Sequence, residues 1–391
     1  MINKKIKNIK VKKKKPGRFS KINQYLINIL ISLSTIILIF CVGELLMRVI
    51  LPPSPKNIGQ LYRVGWNRNY RNSAFISNAE VIHRGVPTKI NTLGLKNIEI
   101  DLHKPKNTFR ILMFGDSFTY GLGLLINETL PSQLERKLNM NKNGSITTQV
   151  LNFGVSGMNT FQEVMYALNY GLKFDPDIIM IVWIFNDIEM NGYTTHDFNS
   201  FTKTGTLPKI EKKGFPSLAR EERIGSFKGE KSIIMRFWNF YEKLKIKSKL
   251  IYFFGTRTKE LLQKFGLNLK TSEKVIYSDL DSDGFQLSFN SLKFINNKLN
   301  KIGIEFYTIL YPPLQKLNDD YYNDLINKKV EEYCIKNNIN CLNLFDYFRG
   351  EKPSKLHTST IDYHPNGYAN KIASIALDKY IKQKSKLFGM K

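Results

Sequence analysis

Residues Phe109–Gly121 read FRILMF-GDSFTYG. The first six are apolar except for Arg110, and the run stops at Gly115. A short apolar run bounded by glycine is the signature of a strand buried on both faces. The same pattern recurs downstream. Thr148–Phe153 (TQVLNF) ends at Gly154, and Asp177–Phe185 (DIIMIVWIF) ends at Asn186-Asp187. Between them, Glu128–Met140 has helical spacing with Leu130, Leu134 and Leu138 on one face, and Phe161–Leu172 reads as a second helix. Leu292–Leu299 is expected as helix, Ile304–Leu310 as strand, Tyr321–Lys336 as helix, Ile339–Leu344 as strand and Gly367–Ile381 as the closing helix. Strands alternating with helices, the strands almost continuously apolar, predict an α/β fold with a mainly parallel sheet covered on both faces. Ligands of such sheets bind beyond the carboxyl ends of the strands.

Chemistry-bearing residues stand at those ends. The first strand delivers Asp116 and Ser117, the second delivers Asn152-Phe153-Gly154-Val155-Ser156-Gly157, and the third delivers Asn186. Asp362-Tyr363-His364-Pro365-Asn366 precedes the last helix. A hydroxyl nucleophile, an imidazole base and donors for a developing oxyanion are what acyl transfer needs. Taken singly, each has a plainer reading. Ser117 suits a helix cap, Gly154 and Gly157 suit loops, Asn186 suits a turn and His364 suits a helix start. The four in this order, each at the end of a strand or the start of the last helix, favour the chemical reading.

On these motifs the chain resembles the SGNH (GDSL-type) hydrolase family over roughly Phe109–Ile381, with a middle stretch of about 90 residues unmatched. GDSFTYG after FRILMF carries most of the resemblance, and NFGVSG and PDIIMIVWIFND follow in order. Asn91-Thr92-Leu93-Gly94-Leu95 is similar to the lead-in of membrane-anchored members. The resemblance implies a flavodoxin-like three-layer α/β/α sandwich. It implies Ser117 as nucleophile, His364 as general base, and an oxyanion hole from the N–H groups of Ser117 and Gly157 and the side-chain amide of Asn186. Two positions depart from the family. Ile184 stands where a glycine is usual, and Ile361 stands where an aspartate three residues before the histidine is usual. Asp362, two residues before, is the candidate orienter, with remote Asp346 or a Ser–His dyad as alternatives.

The net charge of +26 invites a nucleic-acid reading, and its distribution answers that. Ten of the 59 Lys and Arg lie in the first 21 residues, and Ile22–Gly43 holds no charge over 22 residues. As a helix this stretch is about 33 Å long, enough for a hydrocarbon core of about 30 Å. A cleaved signal peptide is the competing reading, but its apolar region is usually shorter and ends in small residues. Lys and Arg beside the helix predict a cytoplasmic N-terminus and an extracytoplasmic catalytic domain. Residues 48–391 keep +17 (49 basic, 32 acidic) without a nucleic-acid motif. Lysine-rich composition or an anionic neighbourhood accounts for that excess.

The expected organisation is therefore a basic cytoplasmic tail at 1–21, a transmembrane helix at 22–47 and a linker and entry segment at 48–107. The hydrolase domain follows at 108–385, with an insertion at about 192–284. Three cysteines exclude a disulfide scaffold, although Cys334 and Cys341 are open to pairing or to remaining reduced. His83, His103, His196 and His357 show no metal-ligand spacing and read as surface or loop residues, His357 being the one rival base. No cofactor or metal is expected. Tyr120 and Trp183 suit the core or an acyl pocket, and Ile233–Phe254 suits a membrane-surface helix or a helix facing a core. The predicted activity is that of an anchored esterase cleaving an ester, such as O-acetyl, on an envelope carbohydrate or lipid, with the bilayer as its other partner. An O-acyltransferase with the same residues and a non-catalytic polymer-binding protein are the rivals, and a nucleic-acid binder comes last.

Overall fold

The protein is described by a computed structural model covering residues 18–50, 61–63, 70–140, 146–188, 193–204, 248, 250–251, 282–315, 317, 322–359, 362–386 and 388. A long helix, α1 (Arg18–Ile50), comes first, then a hairpin of β1 (Glu80–His83) and β2 (Val86–Lys89). The sheet is built from β3 (Thr108–Gly115), β4 (Thr147–Gly154), β5 (Ile178–Trp183), β6 (Glu305–Leu310) and β7 (Asn340–Asn343). Its order is β4-β3-β5-β6-β7 and every neighbouring pair is parallel. Counted within the sheet this is order 2-1-3-4-5, the flavodoxin-like arrangement, with its switch point between β3 and β5.

The helices are α2 (Ser117–Tyr120), α3 (Leu130–Asn139), α4 (Thr160–Asn169), α5 (Thr195–Thr204), α6 (Asp283–Asn300), α7 (Tyr322–Lys336), α8 (Phe345–Phe348) and α9 (Gly367–Lys384). A second hairpin, β8 (His357–Ser359) with β9 (Asp362–Pro365), lies just before α9. Side chains alternate across the sheet because successive strand residues face opposite ways. Ile111, Met113, Val150, Met180 and Val182 meet Leu130, Leu134 and Leu138 of α3 and Ala373 and Leu377 of α9. Leu112, Phe114, Leu151, Phe153, Ile179 and Ile181 meet Val164 of α4 and Leu292 and Ile295 of α6. The expected parallel sheet between two helical layers is thus borne out.

Arg110, the one charge in the first strand, is fully buried yet satisfied. Its guanidinium donates to the carbonyls of Leu102 and Phe174 at 2.8 Å, of Asp101 at 3.0 Å, and to Gln149 Oε1 at 2.9 Å. The bonds to Asp101 and Leu102 tie the segment entering the sheet to β3. Farther upstream, Leu61, Tyr70, Phe75, Ile90 and Leu95 are buried in the same core as Leu112 and Phe114, although their surroundings in sequence are polar and rich in turns. The second helix is shorter than its spacing predicts. It ends at Asn169 and gives way to a 3-10 turn, Gly171–Phe174. A Cβ on Gly171 would come within 2.6 Å of the Phe114 ring, so this turn lies close against β3.

Residues Tyr25–Val49 of α1 are long and apolar enough to cross a membrane, and none of that stretch is buried in the protein. Two of its hydroxyls are satisfied within the helix: Ser32 and Thr35 each donate to the carbonyl four residues back at 2.8 Å. Apart from Ser248, Leu250 and Ile251, the stretch 233–254 lies outside the described residues, as does most of the predicted insertion.

Candidate active site

Ser117 stands at the carboxyl end of β3, where the chain turns directly into α2. Asp116 caps that helix, its Oδ1 accepting the N–H of Phe118 at 2.9 Å, and Gly121 at φ 71° closes it. Against Ser117 Oγ, 2.9 Å away, lies Nε2 of His364. On the far side of the imidazole, Nδ1 is hydrogen-bonded to Asp362 Oδ1, which also accepts the backbone N–H of His364 at 3.3 Å. Burial pushes the Asp362 carboxyl up, but the hydrogen bond and charge of His364, helped by the Arg84 charge, hold it below its ordinary value. Ser117 is 9% exposed, and the Phe118 ring packs edge-on between His364 and Tyr311.

Asn186 comes from the 3-10 turn Phe185–Ile188 that follows β5. Its Nδ2 donates to Asp116 Oδ2 at 3.1 Å, the same oxygen that lies 3.1 Å from Ser117 Oγ. An amide nitrogen carries two protons, so one remains for another acceptor. Gly157 follows β4 with φ 79°, in a turn closed by the Met158 N–H on the Val155 carbonyl at 3.2 Å. The structure thus brings Ser117, Asp362, His364 and Asn186 together and places Gly157 beyond the same edge of the sheet.

Beneath Ser117 the site rests on residues from the upstream segment. Lys96 is buried, donates to the carbonyls of Gly121 and Leu124 at 2.8 Å, and sits 4.5 Å from the centre of the Tyr120 ring. Burial lowers its pKa to about 7. His83 Nδ1 is 2.9 Å from the Tyr120 hydroxyl. Burial, with the charges of Lys96, Arg84 and His364, lowers His83 to about 4, so its imidazole is neutral at pH 7. Glu163 of α4 is fully buried, and burial followed by the nearby Asp116 charge raises its carboxyl well above the usual range.

The remaining candidates lie elsewhere. Asp346 pairs with Arg349 at 3.0 Å on the surface, and His357 Nε2 contacts the Leu314 carbonyl at 3.1 Å. Tyr120 and Trp183 are core residues without exposure, the Trp183 indole donating to Ser288 Oγ at 2.9 Å. Ile184 packs into the core while its N–H is taken by Asp187 Oδ2 at 3.1 Å. Cys334 and Cys341 are free thiols. No metal-binding cluster occurs among the described residues. His83, expected at the surface or in a loop, is buried at the end of β1. Sequence reasoning also gave no role to Arg84, Lys96 or Glu163. A signal for the β1–β2 hairpin is present: Arg84-Gly85 is a two-residue turn, both members at positive φ, between two short strands.

A flavodoxin-order sheet whose first strand leads to a serine hydrogen-bonded to a histidine is an arrangement able to support nucleophilic acyl transfer. Residues 111–221 match the family described as GDSL-like Lipase/Acylhydrolase. Among solved structures the chain is similar to a catalytic mutant of an acetylxylan esterase from Geobacillus stearothermophilus, at 12% identity and TM-score 0.39, covering 70% of this chain and 94% of that one. It is similar also to a hydrolase from the metagenome of Lake Arreo, Spain (11% identity, TM-score 0.38, 70% and 95% covered). A two-domain esterase active on acetylated mannans gives 8% identity and TM-score 0.38, with 71% of this chain and 49% of that one covered. Among curated proteins, none matches this sequence.

Proposed function

We propose that the protein is a membrane-anchored esterase that removes small acyl groups, O-acetyl foremost, from a carbohydrate or lipid of the cell envelope through an acyl-Ser117 intermediate. The observation that carries this reading is the 2.9 Å contact between Ser117 Oγ and His364 Nε2, with Asp362 on the opposite ring nitrogen. His364 Nε2 takes the hydroxyl proton as Oγ attacks the ester carbonyl carbon. The resulting imidazolium is stabilised by Asp362, and the tetrahedral oxyanion is met by the Ser117 and Gly157 N–H groups and the free proton of Asn186 Nδ2. Collapse breaks the bond to the alcohol oxygen, which leaves with the proton from Nε2. Water then gives a proton to Nε2 and attacks the acyl carbon, the acid departs and Oγ regains its proton. The near-burial of Ser117 and the Phe118 ring against His364 favour a small acyl group.

The anchor rests on the predominantly apolar 25-residue span Tyr25–Val49, and the basic tail before it favours a cytoplasmic N-terminus. The test uses the full chain in detergent with p-nitrophenyl acetate and the variants Ser117→Ala and His364→Ala. Loss of hydrolysis by about 10³-fold or more in both is expected. Turnover unchanged in either variant would refute the mechanism.

A further inference from the structure

We propose that Arg84 makes this a hydrolase of anionic esters, binding a carboxylate or phosphate group carried by the substrate next to the scissile acyl bond. The inference rests on Ser117 and His364 being the hydrolytic pair.

Arg84 forms the tip of the β1–β2 hairpin at φ 53°, and its side chain is exposed. Three contacts fix where that tip lies. A Cβ built on Gly123 would lie 3.8 Å from Arg84 Cβ and 3.7 Å from Thr358 Cγ2, so hairpin tip and β8 meet over Gly123. Thr358 Oγ1 in turn donates to the carbonyl of Asp362 at 3.1 Å. The preceding residue, His83, is pinned to Tyr120 of the helix that Ser117 begins. Arg84 is therefore held at the rim of the triad, and its charge is felt there, lowering the acidity range of Asp362.

Yet the guanidinium makes no hydrogen bond and no ion pair among the described residues. The carboxylates of the site are already engaged. Asp362 is bonded to His364, Asp116 holds Ser117, Phe118 and Asn186, and Glu163 is fully buried, with its carboxyl pushed well above the usual range. Lys96 is turned inward on two carbonyls. A planar fork of donors exposed at the rim of the triad suits a carboxylate or phosphate, which guanidinium binds through two parallel hydrogen bonds. The net +17 of residues 48–391 adds a general attraction for polyanions.

The experiment compares three acetyl esters on the full chain in detergent: 4-acetoxybenzoate, 4-acetoxyphenyl phosphate and the neutral methyl 4-acetoxybenzoate. The readout is the ratio of kcat/KM for each anionic ester to that for the neutral one. Both values come from one sample, so the ratio does not depend on the folded fraction. In Arg84→Ala and in Arg84→Asn, which suits positive φ, at least one ratio should fall about tenfold, the size of one hydrogen bond to a charged group. Arg84→Glu should lower it further. The ratio that falls more identifies carboxylate or phosphate as the anion. Falls of less than threefold in all three variants overturn the proposal. Hydrolysis that survives Ser117→Ala, or none by the unaltered protein, instead refutes the hydrolytic reading and the inference with it. A flat ratio with full dependence on Ser117 refutes Arg84 alone.

Discussion

Asp362 and His364 lie two residues apart on one strand, β9, and their side chains meet on the face where His364 touches Ser117. Successive residues of a strand point to opposite faces, so a spacing of two returns to the same face. The Asp362 carboxylate thereby reaches Nδ1 of His364, whose Nε2 meets Ser117. A spacing of three would put the carboxylate on the wrong side of a strand, although it serves well in a helical turn. The departure of this chain from the usual spacing is therefore matched by a hairpin, β8–β9, which holds Asp362 and His364 in extended backbone.

Asp362→Asn should lower turnover of p-nitrophenyl acetate by up to about 10⁴-fold, since the orienting carboxylate fixes the imidazole tautomer and stabilises its charged form. Asp346→Ala should change it less than twofold, because Asp346 is paired with Arg349 at the surface. Labelling of Ser117 by a fluorophosphonate should slow in parallel with turnover. Equal effects of the two substitutions would return the orienting role to an open question between them.

Asp116 should be as sensitive as Asn186, the proposed oxyanion donor that it holds. Its carboxylate accepts from Asn186 Nδ2 at 3.1 Å and from the Phe118 N–H at 2.9 Å. Asp116→Asn and Asn186→Ala are each expected to lower kcat by about 10²–10³-fold, with smaller changes in KM, as for removal of one oxyanion donor. The double variant should lose little more than the worse single one, because both act through the same amide. Additive losses measured in that cycle would show that Asp116 acts on Ser117 by another route.

The parts of the fold that were legible in the sequence share one physical property. β3 and β5 are buried along their whole lengths, so they read as nearly continuous apolar runs, with Arg110 the one charge, and the serine and asparagine follow shortly after their ends. Helix α3 shows its leucines at helical spacing because one face meets the sheet. The floor of the site was hidden for the opposite reason. His83 and Lys96 are buried polar residues in a segment of turns, and such residues leave no period to detect. Their burial depends on hydrogen bonds to Tyr120, Gly121 and Leu124, partners 25 to 37 positions away in the chain.

Because His83 is held neutral, the fold should weaken in mild acid. The unfolded imidazole takes up a proton below about 6.5, while in the folded protein it resists until about 4. Between those values the unfolded state binds more protons, so stability falls as pH falls. From pH 7 to pH 5 the loss from this one group is about 2 kcal/mol, at 1.36 kcal/mol for each pH unit below the ordinary pKa. Thermal unfolding followed at both pH values should show a drop in Tm of several degrees. His83→Gln, which keeps a polar partner for Tyr120 but does not titrate, should reduce that drop. An equal drop in both proteins would assign the acid sensitivity to other groups.

Gly154→Ala tests how closely β4 supports the serine. A Cβ there would lie 2.1 Å from the backbone nitrogen of Tyr120 and 2.6 Å from the carbonyl carbon of Thr119, both in the helix that begins at Ser117. Backbone atoms cannot rotate away as a side-chain tip can, so α2 must shift by about 1 Å or more to reach ordinary contact distance. A misplacement of that size costs roughly 10²-fold in rate, and overpacking at such a contact destabilises by about 1–3 kcal/mol. Gly350→Ala is the control, with positive φ but nothing within 4 Å of an added Cβ. Backbone strain alone should destabilise that variant by about 1–2 kcal/mol, with kcat close to the parent value. Equilibrium denaturation and turnover per folded molecule separate the two effects. A Gly154→Ala protein with normal turnover would mean that α2 does not lean on β4 as closely as the 2.1 Å approach requires.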